Sequence, residues 1–312
     1  MNRLTFFLLN NINFHNYSVD LHQIVPNIID NKVQLLYSKD CNFPSIKDNN
    51  GTYIIQNGGT PLCTNYSLIQ DTILDSLKGV PTNYSDYIVL DMEDWSPIWD
   101  LTGDLYQNVT IDYIQDLYPG LFPDKNNSEL LLRAMESWEL NAMEVMLWGI
   151  TVVRNVYPLA KIGYYGYPGM PYWCNDKTET CKQQKIYNDN MLDLWEQVDV
   201  LLPSIYMPYN STGDLGVYIR NMEYVKRKVN EAERINKMFG RNHDIVVYTW
   251  HRYHDPPNDL ISYNEFLIQY DYTYRFPEVD GLILWSNEGR IDWKNQTKWW
   301  FAEYSNMFEQ LV

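Results

Sequence analysis

The stretch YIVLDMEDW, residues 87–95, decides how the chain reads. An apolar run from Tyr87 to Leu90 stops at Asp91, Met92, Glu93 and Asp94, which puts three carboxylates in four residues. A short run of β-branched and aromatic side chains marks a buried strand. Side chains on a strand alternate between its faces. Asp91 and Glu93 therefore share a face with Val89, while Met92 and Asp94 take the other. Two carboxylates on one face of a confined site resist joint ionisation, because like charge and burial raise the pKa of one of them. An acid kept protonated in this way can donate a proton to a leaving group. Glu93, nearer the mouth, is the candidate general acid, and Asp91 is its ionised or proton-sharing neighbour. The competing reading is a strand end turning into a solvated acidic loop, with Asp94 as a helix N-cap; short patterns of this kind recur by chance.

Six further runs resemble this one: Leu4–Leu9, Val33–Tyr37, Ile162–Tyr165, Val200–Tyr206, Ile245–Trp250 and Gly281–Trp285. Between them lie helical patterns. The clearest cover Ser128–Val153, with Leu131, Met135, Trp138, Ala142, Val145, Met146 and Gly149 near helical spacing, and Val217–Met238. Strands alternating with helices predict parallel β/α units. Seven such units in 312 residues predict a closed or nearly closed α/β barrel. An open doubly wound sheet is the alternative, but no glycine-rich phosphate loop follows the first run. The C-terminal strand ends of such a barrel line its active site. Here those ends carry Tyr37, Asp91 and Glu93, Tyr164 and Tyr165, Ser204 and Tyr206, Tyr248 and Trp250, and Trp285. Flat rings, hydroxyls and carboxylates together suit a carbohydrate. Any one of these rings taken alone reads equally well as core.

The formal charge is −16. Nucleic acid and anionic membranes both demand a basic face, so neither is an expected partner. No apolar run approaches the roughly 18 residues of a membrane span. The Leu4–Leu9 run is shorter than the roughly 7–15 apolar residues of a secretion signal and reads as a strand. An absent or already removed signal fits the remaining evidence for export. Asn-x-Ser/Thr occurs at Asn16, Asn50, Asn65, Asn83, Asn108, Asn126, Asn210 and Asn295, and the cysteine count is an even four. Together these predict a secreted or lumenal, including lysosomal, protein. The cysteines Cys41, Cys63, Cys174 and Cys181 have no zinc-site spacing, and the five histidines His15, His22, His243, His251 and His254 form no ligand motif. No metal and no cofactor is expected.

Seven stretches in order resemble the hyaluronidases of the bee-venom and mammalian type, glycoside hydrolase family 56. They are LLYSKD (35–40), NGGTP (57–61), LDMEDWSPIW (90–99), GYYGYP (163–168), YNDNMLDLW (187–195), PSIYMP (203–208) and GLILWSNE (281–288). The resemblance implies a distorted TIM-like (β/α) barrel of seven to eight strands, residues 1–312 as a single catalytic domain, without a C-terminal EGF-like module. It implies hydrolysis of β-1,4 bonds of N-acetylhexosamine in hyaluronan, or in chondroitin, by a substrate-assisted retaining mechanism. In that mechanism Glu93 is the acid and then the base, and Asp91 and Tyr206 hold the acetamido group. Tyr165 and Trp285 match active-site aromatics, and Tyr37, Ser204 and Tyr248 match further groove positions. One acid suffices because the acetamido oxygen serves as nucleophile. A monomer acting on a glycosaminoglycan is expected.

The chain departs from the family in places. No cysteine precedes Cys41 or follows Cys181, so the family's bridge between the two ends of the chain is missing. The resemblance implies a shortened Cys174–Cys181 bridge and an additional Cys41–Cys63 bridge. The family's groove arginine has Arg220 or Lys228 as stand-in, and Tyr172 or Trp173 offers a substrate platform in an altered loop. Hyaluronan is a polyanion, so a locally basic groove is expected from Arg220, Lys228, Arg252 and Arg290, together with an acidic optimum. Two other functions compete: a non-catalytic glycosaminoglycan-binding glycoprotein, and a chitinase-like hydrolase. The latter matches less well, because Val89 stands where its motif needs a second aspartate.

Overall fold

The computed structural model describes residues 33–122, 124–125, 127–174, 177–254, 259–285 and 300, and the backbone of 5–8 and 28–30. Asn16, Asn126, Asn295, His15, His22 and Arg290 lie outside the described residues. The described strands are β1 (Thr5–Leu8), β2 (Ile28–Asp30), β3 (Val33–Tyr37), β4 (Ser45–Asn49), β5 (Thr52–Gln56), β6 (Tyr87–Asp91), β7 (Lys161–Tyr164), β8 (Val200–Leu201), β9 (Asp244–Trp250) and β10 (Gly281–Trp285). All seven expected runs overlap one of them. The run Val200–Tyr206 is regular only over its first two residues, and continues as single bridges, Tyr165 to Leu202 and Ser204 to Tyr248. The two long helices run Ser128–Val156 and Leu215–Phe239, each slightly longer than its periodicity predicts. None of the described helices is long and apolar enough to cross a membrane.

The chain packs as two compact units, each discontinuous in sequence. One comprises 1–34, 163–190 and 199–312; the other comprises 35–162 and 191–198.

In the first unit β2, β1, β10, β9 and β8 form a five-stranded sheet whose recorded pairings are all parallel. Six of the seven residues of β9 are buried, as a sheet covered on both faces requires. The helix Leu215–Phe239 starts at Asp214, whose carboxylate accepts from Val217 N at 3.0 Å, and stops at Gly240, φ +58°. Gly163 lies so close to β8 that a Cβ there would sit 2.5 Å from the Val200 carbonyl oxygen. Glu265 is completely buried, yet both its oxygens are satisfied. Oε1 accepts from Ser211 N at 3.0 Å and Asn221 Nδ2 at 3.2 Å, and Oε2 accepts from the hydroxyls of Tyr253 and Ser262.

In the second unit β6 is buried along its whole length. The helix Ser128–Val156 is capped by Asn127, which accepts from Glu129 N at 2.9 Å and Leu130 N at 3.2 Å. Its Trp138 is fully buried, with rings of Trp95, Trp99 and Tyr106 at 5.8, 6.3 and 5.7 Å. β4 and β5 form a hairpin that the periodicity does not predict. Its turn, Asn50–Gly51, has φ of 52° and 85°, the left-handed pair that Asn-Gly favours in a two-residue hairpin loop.

Cys174 and Cys181 are bonded, with Cα atoms 5.3 Å apart. The Cys41–Cys63 bridge is absent, which corrects the expectation. Cys41 closes the short helix Ser38–Cys41 in the core, whereas Cys63 ends the turn Pro61–Cys63 in solvent. Bonded sulfurs lie about 2 Å apart and share one environment, which these two do not.

Candidate active site

In the second unit β6 ends at Asp91. The next residues leave the strand without alternating in burial: Met92 is buried like Asp91, Glu93 is exposed and Asp94 half-buried. Asp94 caps no helix, since the next helical turn, Trp99–Leu101, begins at Ile98. The segment is held on both sides. Trp95 Nε1 donates to the Pro44 carbonyl at 2.7 Å, Trp138 Nε1 to the Ser96 carbonyl at 2.9 Å, and Trp99 N to Glu139 at 3.0 Å. Ser38 Oγ donates to the Asp91 carbonyl at 3.4 Å, tying the residue after β3 to the end of β6. Tyr37, at the end of β3, caps the following turn with its N–H on Asp40 at 3.2 Å and keeps its half-buried ring beside it.

Asp91 is 7% exposed, and no donor is aimed at its Oδ1. Burial first, then the charge of Glu93 and a hydrogen bond shared with it, then the charge of Asp94, push its carboxyl up to about 8. A buried carboxylate without donors is costly, and a proton on Asp91 removes that cost. The pair is thus two interacting carboxyls, one buried and one facing solvent, and burial beside Glu93 favours the protonated form of Asp91. The expectation of two interacting carboxyls is met. Asp91 is the deeper member, as expected, and it is the Asp91 carboxyl that burial and the neighbouring charges raise.

In the first unit, Tyr165, Ser204, Tyr206, Tyr248 and Trp285 come together. Tyr165 OH donates to Ser204 Oγ at 3.3 Å, and its ring lies 4.9 Å from Tyr248 and 6.1 Å from Tyr206. Tyr206 stacks on Trp285 at 5.9 Å and 25°. Trp250 completes the group, 5.7 Å from Tyr206 and 5.2 Å from Trp285. The resemblance does not single out Trp250, but alternation does: it is two residues from Tyr248 and so shares its face.

The expected basic groove is reshaped. Arg252 is completely buried, and Lys228 is buried with its pKa pushed down to about 8 by desolvation, its Nζ 5.5 Å from the Tyr224 ring. Both are better suited to packing than to binding a free anion. Arg220 is exposed. Among the described residues no cluster of His, Cys, Asp or Glu is arranged to hold a metal.

A family profile described as "Hyaluronidase", glycoside hydrolase family 56, matches residues 10–298. The chain belongs to the hyaluronidase family. Members are glycoside hydrolases, and this chain is therefore an enzyme of that class. The hyaluronidase of Dolichovespula maculata is 28% identical over 278 residues, covering 84% of this chain and 78% of that one. Hyaluronidase Tab y 2.0101 of Tabanus yao is 28% identical over 300 residues, covering 88% and 79%. Among solved structures, bee venom hyaluronidase in complex with a hyaluronic acid tetramer superposes with TM-score 0.79 at 23% identity, covering 97% of this chain and 96% of that one. A monoclinic crystal form of the same venom enzyme gives 0.80 at 21% identity. The fold class is the distorted TIM-like α/β barrel of this hyaluronidase family.

Proposed function

We propose that this hyaluronidase-family chain is an endo-glycosidase that cleaves β-1,4 bonds of N-acetylhexosamine in hyaluronan, with chondroitin as a second substrate. The observation that carries the reading is the Asp91–Glu93 pair, in which a carboxyl raised to about 8 keeps one proton available at neutral and acidic pH. Glu93, the exposed member, protonates the glycosidic oxygen while the substrate's acetamido oxygen attacks the anomeric carbon. Glu93 then takes a proton from the incoming water. The nucleophile is tethered to the reacting sugar, so its attack is effectively intramolecular. Asp91 and Tyr206 hold the acetamido group, while Tyr165, Ser204, Tyr248, Trp285 and Tyr37 bind neighbouring sugar. Relatives named hyaluronidase, and a similar fold solved with a hyaluronic acid tetramer, support the choice of polymer.

Residues 1–312 act as one catalytic domain, a reading supported by a family match that runs through every segment of both units. A secreted or lumenal, monomeric glycoprotein is the accompanying reading. It is supported by the Cys174–Cys181 bond and by the exposed acceptor asparagines Asn50, Asn65, Asn83, Asn108 and Asn210.

The test is reducing-end release from hyaluronan and from chondroitin between about pH 3.5 and 7, a window around ordinary carboxyl pKa values, with the Glu93→Gln variant alongside. Release by the parent and its loss in the variant supports the reading. Tight binding of both polymers with no release by the parent replaces it with the binding-glycoprotein function.

A further inference from the structure

Trp173 is 67% exposed, yet it does not stand alone. Its ring meets Tyr172 at 4.8 Å and 85°, and Tyr209 at 5.2 Å and 48°. Buried groups hold these partners from below. Tyr172 OH donates to Asn221 Oδ1 at 2.8 Å, and the Tyr172 carbonyl accepts from Arg227 Nη2 at 3.0 Å. Asn221, completely buried, donates in turn to the Tyr209 carbonyl at 3.0 Å. The next residue, Cys174, is bonded to Cys181. An indole kept in water gives up burial worth roughly 2 kcal/mol. Fixing such a ring from beneath while leaving its surface open is the arrangement of a binding platform.

Two further observations identify the ligand chemistry. Arg220 is exposed, lies near enough to the Tyr172 hydroxyl for its charge to favour the ionised phenol, and pairs with no carboxylate among the described residues. The ring contacts also continue inward within the same unit. Tyr172 lies 5.2 Å from Tyr224, and Tyr224 OH donates to the carbonyl of Ser204, whose Oγ accepts from Tyr165. The ledge is thus braced, through the buried Tyr224, against the residues that carry Tyr165 and Tyr206. A flat ring packs on a pyranose face, and an unpaired guanidinium beside it binds a carboxylate.

We propose that Trp173, Tyr209 and Arg220 form an additional sugar subsite, which takes a uronate-containing segment of the polymer next to the one seated on the Tyr165–Tyr206 floor. This rests on the glycosaminoglycan reading above. Because it concerns binding, it is tested apart from turnover. In a Glu93→Gln background, affinity is measured by titration calorimetry for a hyaluronan decasaccharide and for an uncharged N-acetylglucosamine oligomer, with thermal unfolding as a check on folding. Trp173→Ala should weaken decasaccharide binding about 3- to 10-fold, the range for one aromatic contact, and Trp173→Phe should restore most of it. Arg220→Gln should weaken hyaluronan binding and leave the uncharged oligomer unaffected. Unchanged affinity in Trp173→Ala overturns the subsite. Equal loss for both oligomers in Arg220→Gln overturns the uronate assignment. A parent that binds the decasaccharide through Trp173 but releases no reducing ends refutes the hydrolase reading while leaving the subsite standing.

Discussion

Asp91 and Glu265 are both buried carboxyls, and their surroundings are opposite. Glu265 receives four donors, from Ser211, Asn221, Tyr253 and Ser262. Asp91 has no donor on Oδ1 and two other carboxyls nearby, those of Glu93 and Asp94. Full satisfaction turns a buried acid into a fastener, which joins the helix start near Asn221 to the loop at Ser262. Deprivation turns a buried acid into a proton holder. The hydrogen-bond inventory of a buried carboxyl thus tells structural acids from chemical ones before any ligand is considered.

The comparison breaks most directly at Glu93. Glu93→Gln should lower kcat by about 1,000-fold, within the range for general acid–base catalysis, and leave the unfolding temperature nearly unchanged because the side chain is exposed. A large loss of stability with retained turnover would reverse the two roles. Glu265→Ala should do the opposite. It strands the donors of Asn221, Tyr253 and Ser262, and should destabilise by about 3–5 kcal/mol in urea unfolding. The folded fraction should keep a kcat within a few-fold of the parent.

Asp91→Asn sharpens the contrast through pH. The folded carboxyl is raised from 3.8 to about 8, so the folded state binds this proton more tightly than the unfolded chain does. Its contribution to stability is therefore full below about pH 4 and is lost as pH rises through about 8. Asparagine carries no such proton. The variant's unfolding temperature should fall less than the parent's between pH 4 and 9, and should gain on it at the alkaline end. The alkaline limb of the rate profile should also move toward acid once Asp91 no longer holds a proton beside Glu93. Equal pH slopes in both proteins would mean that Asp91 titrates like a surface acid. The smallest effect concerns the remaining cysteines. A thiol reagent should label Cys63 in the native protein and Cys41 only after denaturation, and Cys63→Ser should change stability by less than about 0.5 kcal/mol.

Much of this was legible because local patterns were unambiguous. Tyr87–Asp91 and Gly281–Trp285 end where composition ends them, and the helix Ser128–Val156 announces itself through its apolar spacing. The β4–β5 hairpin was not legible from periodicity: Tyr53, Ile54 and Ile55 are all exposed, so its second strand shows no alternation of burial. Its Asn50–Gly51 turn was the available signal. The Cys41–Cys63 pairing failed because an even cysteine count constrains number, not place. Arg252 illustrates the same gap, since a charge in a sequence carries no statement of depth, and the chain buries this one completely. In the site, the residue types and the closeness of Asp91 to Glu93 were readable. That Glu93 stands nearer the mouth was also readable; that the raised carboxyl is Asp91 was not, because that depends on how tertiary packing buries it.

Gly163 deserves a last consequence. With β8 so near, any side chain at this position must push the Val200 carbonyl aside, and two residues further on stands Tyr165, bridged to Leu202 and hydrogen-bonded to Ser204. A residue that need touch no sugar therefore governs where a sugar-facing ring rests. A library randomised at position 163 and selected for turnover should return glycine alone, although nothing in the chemistry of hydrolysis calls for it.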